Sequence, residues 1–275
     1  MRLETHTHTY YSHRKKVLYD GVNSPEEMVK QAKRNGIDAI AITDHDTMEA
    51  VERAKKAAKK TGIEVIPGEE VSTLNGHMVA VNIQEAVPPR LSVMETLDKV
   101  HEQGGIGISS HPFDILREGL GEYAKHCDAM EVFNPLNMDR IANIKARRFS
   151  KKYGIPMVTG SDAHYTKMLN HGVIEADADS IDGAIRQIRK NSVKLHTRYF
   201  SLATMRELVV RRLTMSYDYT LNYMNANYSW PKRMIGKRLL NAAIGGNHER
   251  AFKAFSYFAL GGVVLYSGFK TVMEL

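Results

Sequence analysis

Six of the twelve histidines in this 275-residue chain stand beside a carboxylate or another histidine, where the flanking residues predict the start or end of a β-strand. Glu4, His6 and His8 alternate with threonines, and on a strand every second side chain faces the same way. Asp44-His45-Asp46 follows the apolar run Ile37 to Ile42, and Glu69-Glu70 follows Ile63 to Ile66. His77 opens a run after an Asn-Gly turn, His111 follows Ile106 to Ser110, and Asp162 and His164 follow a run ending at Thr159. A lone histidine after a strand reads as polar loop, but six in such company read as one metal-binding cluster. Imidazole and carboxylate without thiolate suit zinc, manganese or iron. The single cysteine, Cys127, excludes an internal disulfide framework and a cysteine zinc cluster, and reads as a small buried residue. His101, His126, His171, His196 and His248 read as ordinary polar positions, and His13 with Arg14, Lys15 and Lys16 reads as an exposed loop, with gating of the site's mouth and contact to an anionic substrate as the alternative.

The elements that must hold these residues alternate between strands and helices. Leu3 to Thr9 is predicted as an opening strand. Ser24-Pro25-Glu26-Glu27 offers an N-cap, a proline at the first helical position and an acid three residues on, so a helix runs to about Arg34 and stops at Gly36. Further helices are expected at Thr47 to Lys60, from Ser92 to Gly104, at Met138 to Tyr153 and at Ser180 to Asn191. The strands between them are Ile37 to Ile42, Ile63 to Ile66, His77 to Ile83, Ile106 to Ser110, Ala129 to Phe133, Pro156 to Thr159 and Val193 to His196. Strands separated by single helices imply parallel pairing with right-handed crossovers. A small irregular barrel follows, with an open doubly wound sheet as the alternative. In α/β barrels the site sits at the C-terminal strand ends, where most of the candidate ligands fall.

Composition is that of a soluble globular chain, 43% apolar and 25% charged. The start shows no secretory signal, and a cytoplasmic location is expected. From Arg198 onward there are eleven Lys and Arg against four Asp and Glu, so the whole formal net charge of +7 lies there and residues 1–197 are neutral. This divides the chain into a catalytic body, 1–197, and a basic helical extension, 198–275. Leu202 to Tyr228 and Pro231 to Ile244 read as helices. Ala254 to Phe269 carries no charge but falls short of the roughly 20 apolar residues of a span. It reads as a packed or dimer helix, with a membrane-surface, re-entrant or spanning segment as alternatives.

Taken together, Glu4-x-His6-x-His8, Thr43-Asp44-His45-Asp46, Pro67-Gly68-x-Glu70-x-Ser72-Thr73, Gly76-His77, Ser110-His111-Pro112 and Gly160-Ser161-Asp162-Ala163-His164 resemble the motifs of the polymerase and histidinol phosphatase (PHP) superfamily. The resemblance covers about residues 1–197. It implies a distorted seven-stranded β/α barrel with two or three divalent ions (Mn2+, Zn2+ or Fe2+) at its C-terminal face. Position by position, it implies His6, His8, Asp20, His45, Glu70, His77, His111, Asp162 and His164 as ligands, with Glu70 bridging. Asp20 is displaced from the family position by the inserted residues 13–17. Glu4 stands where the family has Asp, and is expected to support a ligand from behind rather than bind a metal.

Cations so held would lower the pKa of water toward 7 and offset phosphate charge. Asp44 or His164 would handle protons. Arg117 and Lys167 are the candidate phosphate donors. Within the family the short Gly-x-Glu-x-Ser and Gly-His motifs are similar to those of nucleoside 3′,5′-bisphosphate phosphatases that also act as 5′→3′ exonucleases on short oligonucleotides. A basic extension suits such a polyanion. The alternatives are a histidinol-phosphate-type phosphatase and a non-catalytic metal-stabilised module. In the latter, residues 198–275 would dock nucleic acid, an anionic membrane surface or a second subunit.

Overall fold

In the computed structural model, residues 1–137 and 140–245 are described. The uncharged stretch Ala254 to Phe269 lies outside them. No helix among the described residues is long and apolar enough to cross a membrane.

Nine strands form one sheet: β1 (Arg2–Glu4), β2 (Ala39–Ile42), β3 (Glu64–Thr73), β4 (Gly76–Val81), β5 (Ile106–Ser109), β6 (Ala129–Phe133), β7 (Met157–Thr159), β8 (Gly172–Glu175) and β9 (Lys194–Thr197). Their order is β7-β6-β5-β4-β3-β2-β1-β8-β9, and the sheet curls until it is nearly a closed barrel. Where β7 meets β8, a Cβ on Gly172 would lie 2.4 Å from the carbonyl oxygen of Gly160, so only glycine lets the two edges approach.

Five helices pack outside: α1 (Pro25–Arg34), α2 (Val51–Thr61), α3 (Val93–Glu102), α4 (Ile141–Tyr153) and α5 (Ile181–Arg189). Ser24 and Ser92 each close a complete capping box with the glutamate three residues on. Such a cap contributes about 1 kcal/mol. Gly62 and Gly154 take the left-handed conformation that ends α2 and α4.

The α/β barrel with a helical C-terminal region agrees with the expectation, but the strand count and pairing do not. Alternation predicted eight strands in parallel pairing, and the family resemblance implied a seven-stranded barrel. β1, β2 and β3 pair in parallel, as do β5, β6 and β7, whereas β3, β4 and β5 pair antiparallel, as do β1, β8 and β9. β8 is a four-residue strand and was not expected. β3 runs seven residues past Ile66, where the predicted strand ended, to Thr73, because Pro67-Gly68 does not stop it. A Cβ on Gly68 would sit 2.5 Å from the carbonyl oxygen of Ala80, so the glycine permits the close approach of β4. Conversely, β1 ends at Glu4, and of residues 5–9 Thr7 alone forms a β-bridge, to Ala163. The helix expected from Thr47 begins at Val51.

Residues 198–245 hold α6 (Leu202–Met215), α7 (Tyr217–Asn227) and α8 (Trp230–Ile244). The single helix expected over Leu202 to Tyr228 is thus two, broken at Ser216, whose hydroxyl accepts a bond from the Tyr19 backbone at 3.1 Å. Leu208 is buried in the apolar cluster of α1, α2 and β2. By the usual value of a buried leucine, this anchors α6 to the barrel with about 2 kcal/mol.

Candidate metal centre

Glu70 lies in the middle of β3 rather than after a strand, opposite Val79 of β4. Its Oε2 is 3.3 Å from His6 Nε2, His8 Nε2 and His45 Nδ1. Its Oε1 is 3.1 Å from His111 Nε2 and 3.5 Å from His77 Nδ1, and accepts a bond from Ser110 at 2.9 Å. Five imidazoles therefore converge on one fully buried carboxylate. They reach it from four directions: the chain after β1, the chain after β2, the start of β4 and the chain after β5.

Asp162 completes the other side, 3.4 Å from His8 and 3.5 Å from His164. Asp20 Oδ2 lies 3.1 Å from His164 and 3.4 Å from His45. Three groups of ligand atoms each fall within 4.8 Å of one another: His6, His8 and Glu70; His8, Asp162 and His164; His45, Glu70 and His77. His8 and Glu70 each belong to two of the groups.

The backbone is strained where it presents these side chains. His111 and Asp162, neither of them glycine, have φ of 30° and 48°. Such positions cost of order 1–3 kcal/mol and persist where the surroundings hold them. The Glu131 carboxylate helps to do so, accepting the His111 backbone N–H at 2.9 Å and bonding His6 Nδ1 at 2.9 Å. Asn134 donates to both Glu131 and Asp162. Gly160 packs against this pair so closely that a Cβ would lie 2.3 Å from Glu131 Oε1.

The electrostatics are a contest between burial and close charge. Burial opposes the charged forms, yet Asp162, Glu70 and Glu131 together hold His6 well above the ordinary histidine range. His8 likewise rises to about 9 despite burial, through Asp162 and Glu70. Glu70 and Asp162 stay well below the carboxylate range in spite of burial, because histidines surround both and Arg117 faces Asp162. Burial wins at His164, which falls to about 3, and lowers His45 and His111.

The donor set fits divalent cations. His6 Nε2 and His8 Nε2 are only 3.1 Å apart, and both face Glu70 Oε2. Buried His77 Nδ1 has no hydrogen-bond partner and also points at Glu70. A carboxylate has about four lone-pair sites and cannot satisfy five imidazoles. Cations among them would use the convergent lone pairs, and mixed nitrogen and oxygen donors suit zinc, manganese or iron.

The remaining sequence candidates divide. Arg117 reaches the cluster, where its guanidinium pairs with Asp162 and Asp114 and donates to Asn137 at 2.5 Å. Lys167 is not brought in: it is 65% exposed and pairs with Glu207 of α6 at 2.8 Å. Asp44 sits just behind the ligands, its oxygens taken by the Thr9 backbone N–H at 2.6 Å and hydroxyl at 2.7 Å. Glu4 faces away from the cluster, accepting from Ser161 at 2.8 Å and from the Asn170 backbone at 2.5 Å. Burial raises its pKa to about 8.

Sequence reasoning missed Glu131 and Arg212, and placed Arg14 in the inserted loop without a partner. Glu131 lies inside a strand without a flanking histidine, although a charged residue in an otherwise apolar run was a usable signal. Arg14 Nε bonds Asp20 at 2.6 Å and its Nη2 is 3.1 Å from His45 Nε2, while Arg212 Nη2 of α6 is 2.7 Å from Asp20 Oδ1.

A barrel with histidines and carboxylates gathered at its strand ends defines the class, and comparison with known proteins agrees. Residues 4–168 match the PHP domain, and the chain belongs to that family. It is 37% identical over 149 residues to the Methanocaldococcus jannaschii protein MJ1587, covering 52% of this chain and 87% of that one. A 5′-3′ exoribonuclease of Haemophilus influenzae is 33% identical over 106 residues, and the match spans 37% of this chain and 39% of the relative. Among solved structures, a two-domain Bacteroides vulgatus protein described as containing a predicted PHP-like metal-dependent phosphoesterase superposes with a TM-score of 0.60 at 18% identity. It covers 72% of this chain and 65% of its own. The fold is thus that of PHP-like metal-dependent phosphoesterases.

Proposed function

We propose that this chain hydrolyses phosphate esters with two or three divalent cations, on nucleotide-type substrates: a nucleoside 3′,5′-bisphosphate or the 5′ end of a short oligonucleotide. The observation that carries the reading is the convergence of five histidines on Glu70, with Asp162 and Asp20 completing the shell. His6, His8, Asp20, His45, Glu70, His77, His111, Asp162 and His164 would hold the ions, with Glu70 and His8 shared between groups. The ions would supply Lewis-acid activation of water and neutralise phosphate charge.

The chain's own residues do the rest. Glu131 fixes the ring of His6 through Nδ1, leaving Nε2 for the site. Asp44 clamps Thr9 and so steadies the segment carrying His6 and His8. Arg117 lies close enough to Asp162 to offer its guanidinium to a phosphate oxygen. Burial keeps His164 neutral, the form that a ligating imidazole needs, and its Nδ1–H donates to the Asp162 carbonyl so that Nε2 is left for an ion. The exoribonuclease relative and the basic character of residues 198–275 support a nucleotide substrate.

The test is phosphate release by the manganese-loaded full chain from nucleoside 3′,5′-bisphosphates, short 5′-phosphorylated RNA and histidinol phosphate, with metal content measured in parallel. His6→Ala and His164→Ala should each lose metal and activity together. Metal bound at wild-type level with no turnover of any ester would overturn the enzymatic reading and favour a metal-stabilised module.

A further inference from the structure

Three guanidiniums stand around the cluster, and two of them come from parts of the chain outside the motifs. Arg14 belongs to the inserted loop after His13, and Arg212 belongs to α6. Both pin themselves to one carboxylate, that of Asp20. Two cationic forks on a single acid exceed what neutralisation needs. Divalent ions bound among Asp20, Glu70 and Asp162 would engage the one carboxylate that Arg14 and Arg212 share and leave those two guanidiniums short of counter-charge, whereas Arg117 keeps Asp114. A partly buried guanidinium left without its partner is costly, and an anion bound beside the cations would restore one.

Neither arginine is sealed off. The Arg14 side chain is 39% exposed and that of Arg212 is 22% exposed, while Asp20 is 1% exposed. Each has donors to spare, since a guanidinium carries five N–H groups. Arg212 uses Nε on the Asp20 carbonyl at 2.5 Å and Nη2 on its carboxylate. The two are also built as one unit. Tyr19 N–H donates to Ser216, Tyr219 donates to the Lys15 carbonyl at 3.3 Å, and Thr220 to the Lys16 carbonyl at 3.3 Å. The inserted loop is thus fastened along α6 and α7, which are held to the barrel through Leu208.

We propose that Arg14 and Arg212 form a clamp for a phosphomonoester group, so that the inserted loop and α6 make the site prefer a terminal phosphate over a phosphodiester. A terminal phosphate near neutral pH carries up to two charges and three free oxygens, and two guanidinium forks complement it, whereas a diester offers one charge and two free oxygens. The clamp rests on the phosphoesterase reading above, but its test separates the two.

The experiment uses the full chain loaded with manganese. Inorganic phosphate binding is measured by calorimetry, and kcat and KM are measured for p-nitrophenyl phosphate and bis(p-nitrophenyl) phosphate. Arg212→Met and Arg14→Met should each weaken phosphate binding about tenfold or more, the range of a lost charge-assisted bond. Each should raise KM for the monoester by a similar factor, so that the monoester-over-diester preference falls about tenfold. Arg212→Lys should recover part of the phosphate affinity. If both methionine variants, with wild-type metal content, bind phosphate and rank the two esters within twofold of wild type, the clamp is refuted. Should Arg212→Met fail to fold, Arg14→Met on the exposed loop and Arg212→Lys decide by the same criterion. Arginine-dependent phosphate binding in a wild type that cleaves no ester would sink the enzymatic reading and leave the clamp standing. Ester cleavage with phosphate affinity indifferent to both arginines would do the reverse.

Discussion

The ligand set and the guanidinium rim meet at Asp20, yet they are built by different physics. Glu70 and Glu131 are fixed inside strands, and His6, His45, His111 and Asp162 follow within a few residues of strand ends. Their geometry is inherited from the sheet, and Glu131, Asn134 and Ser110 lock it with buried hydrogen bonds. Arg14 and Arg212 are instead delivered by a loop lying against two helices, through bonds that reach solvent and apolar packing centred on Leu208. The strand-built half is suited to hold ions in one arrangement, and the packing-built half is free to set which anion fits. Substitutions should therefore separate the two halves by what they change: metal affinity on one side, anion preference on the other.

The largest separation is expected at Glu131. Glu131→Gln keeps the size of the side chain but removes the charge that orients His6. Partners of this kind typically change metal affinity or activity 10–100-fold. The expected result is a loss of manganese affinity in that range by calorimetry, with the monoester-to-diester ratio unaltered. A changed ratio at unchanged metal affinity would erase the distinction between the halves.

The same difference decides what could be read from sequence. A ligand just past a strand end is announced by an apolar run followed by Asp-His or Ser-His, so the cluster from His6 to His164 was legible. So were the helices with caps, since Ser24 with Glu27 and Ser92 with Glu95 are local signals. The antiparallel pairing was not, although the strands at His77 and Val193 were expected. Nothing local tells β3 to continue through Pro67-Gly68 or tells Gly172 to Glu175 to form a strand, because both depend on the neighbour that the sheet brings alongside. Lys167 lies close in sequence to His164, but the chain turns away through the short helical turn at Thr166–Met168 and points it at Glu207. Arg212 lies 192 residues from the aspartate it contacts, and no spacing rule reaches that far.

A middle-sized effect is expected at Glu4, which supports the strand-built half without facing it. Its pKa is raised by burial from 4.5 to about 8, so the protonated form is the one the fold prefers. The stability this gives is complete below about pH 4.5, where the unfolded chain is protonated too, and is lost as pH rises through about 8. Glu4→Gln mimics the protonated acid at every pH. In the metal-stripped protein the variant should match wild type near pH 5 and exceed it near pH 8 by on the order of 2 kcal/mol, below the full shift at 1.36 kcal/mol per unit. Denaturant midpoints at the two pH values check this, and an equal difference at both would mean that Glu4 is not held protonated.

The smallest effect, and the sharpest control on the rim, belongs to Lys167. It pairs with Glu207 on the same helix that carries Arg212, but 65% of its side chain is exposed and its charge faces solvent rather than Asp20. Exposed pairs of this kind contribute roughly 0.2–1 kcal/mol, and many contribute nothing measurable. Lys167→Ala should therefore shift stability by less than about 1 kcal/mol. Raising the salt concentration should shrink the difference further, because the pair is open to screening. Phosphate affinity should stay within twofold of wild type. If Lys167→Ala weakened phosphate binding as much as Arg212→Met, the general positive field around α6 would be holding the anion, and the distinction between placed guanidiniums and ordinary surface charge would fail.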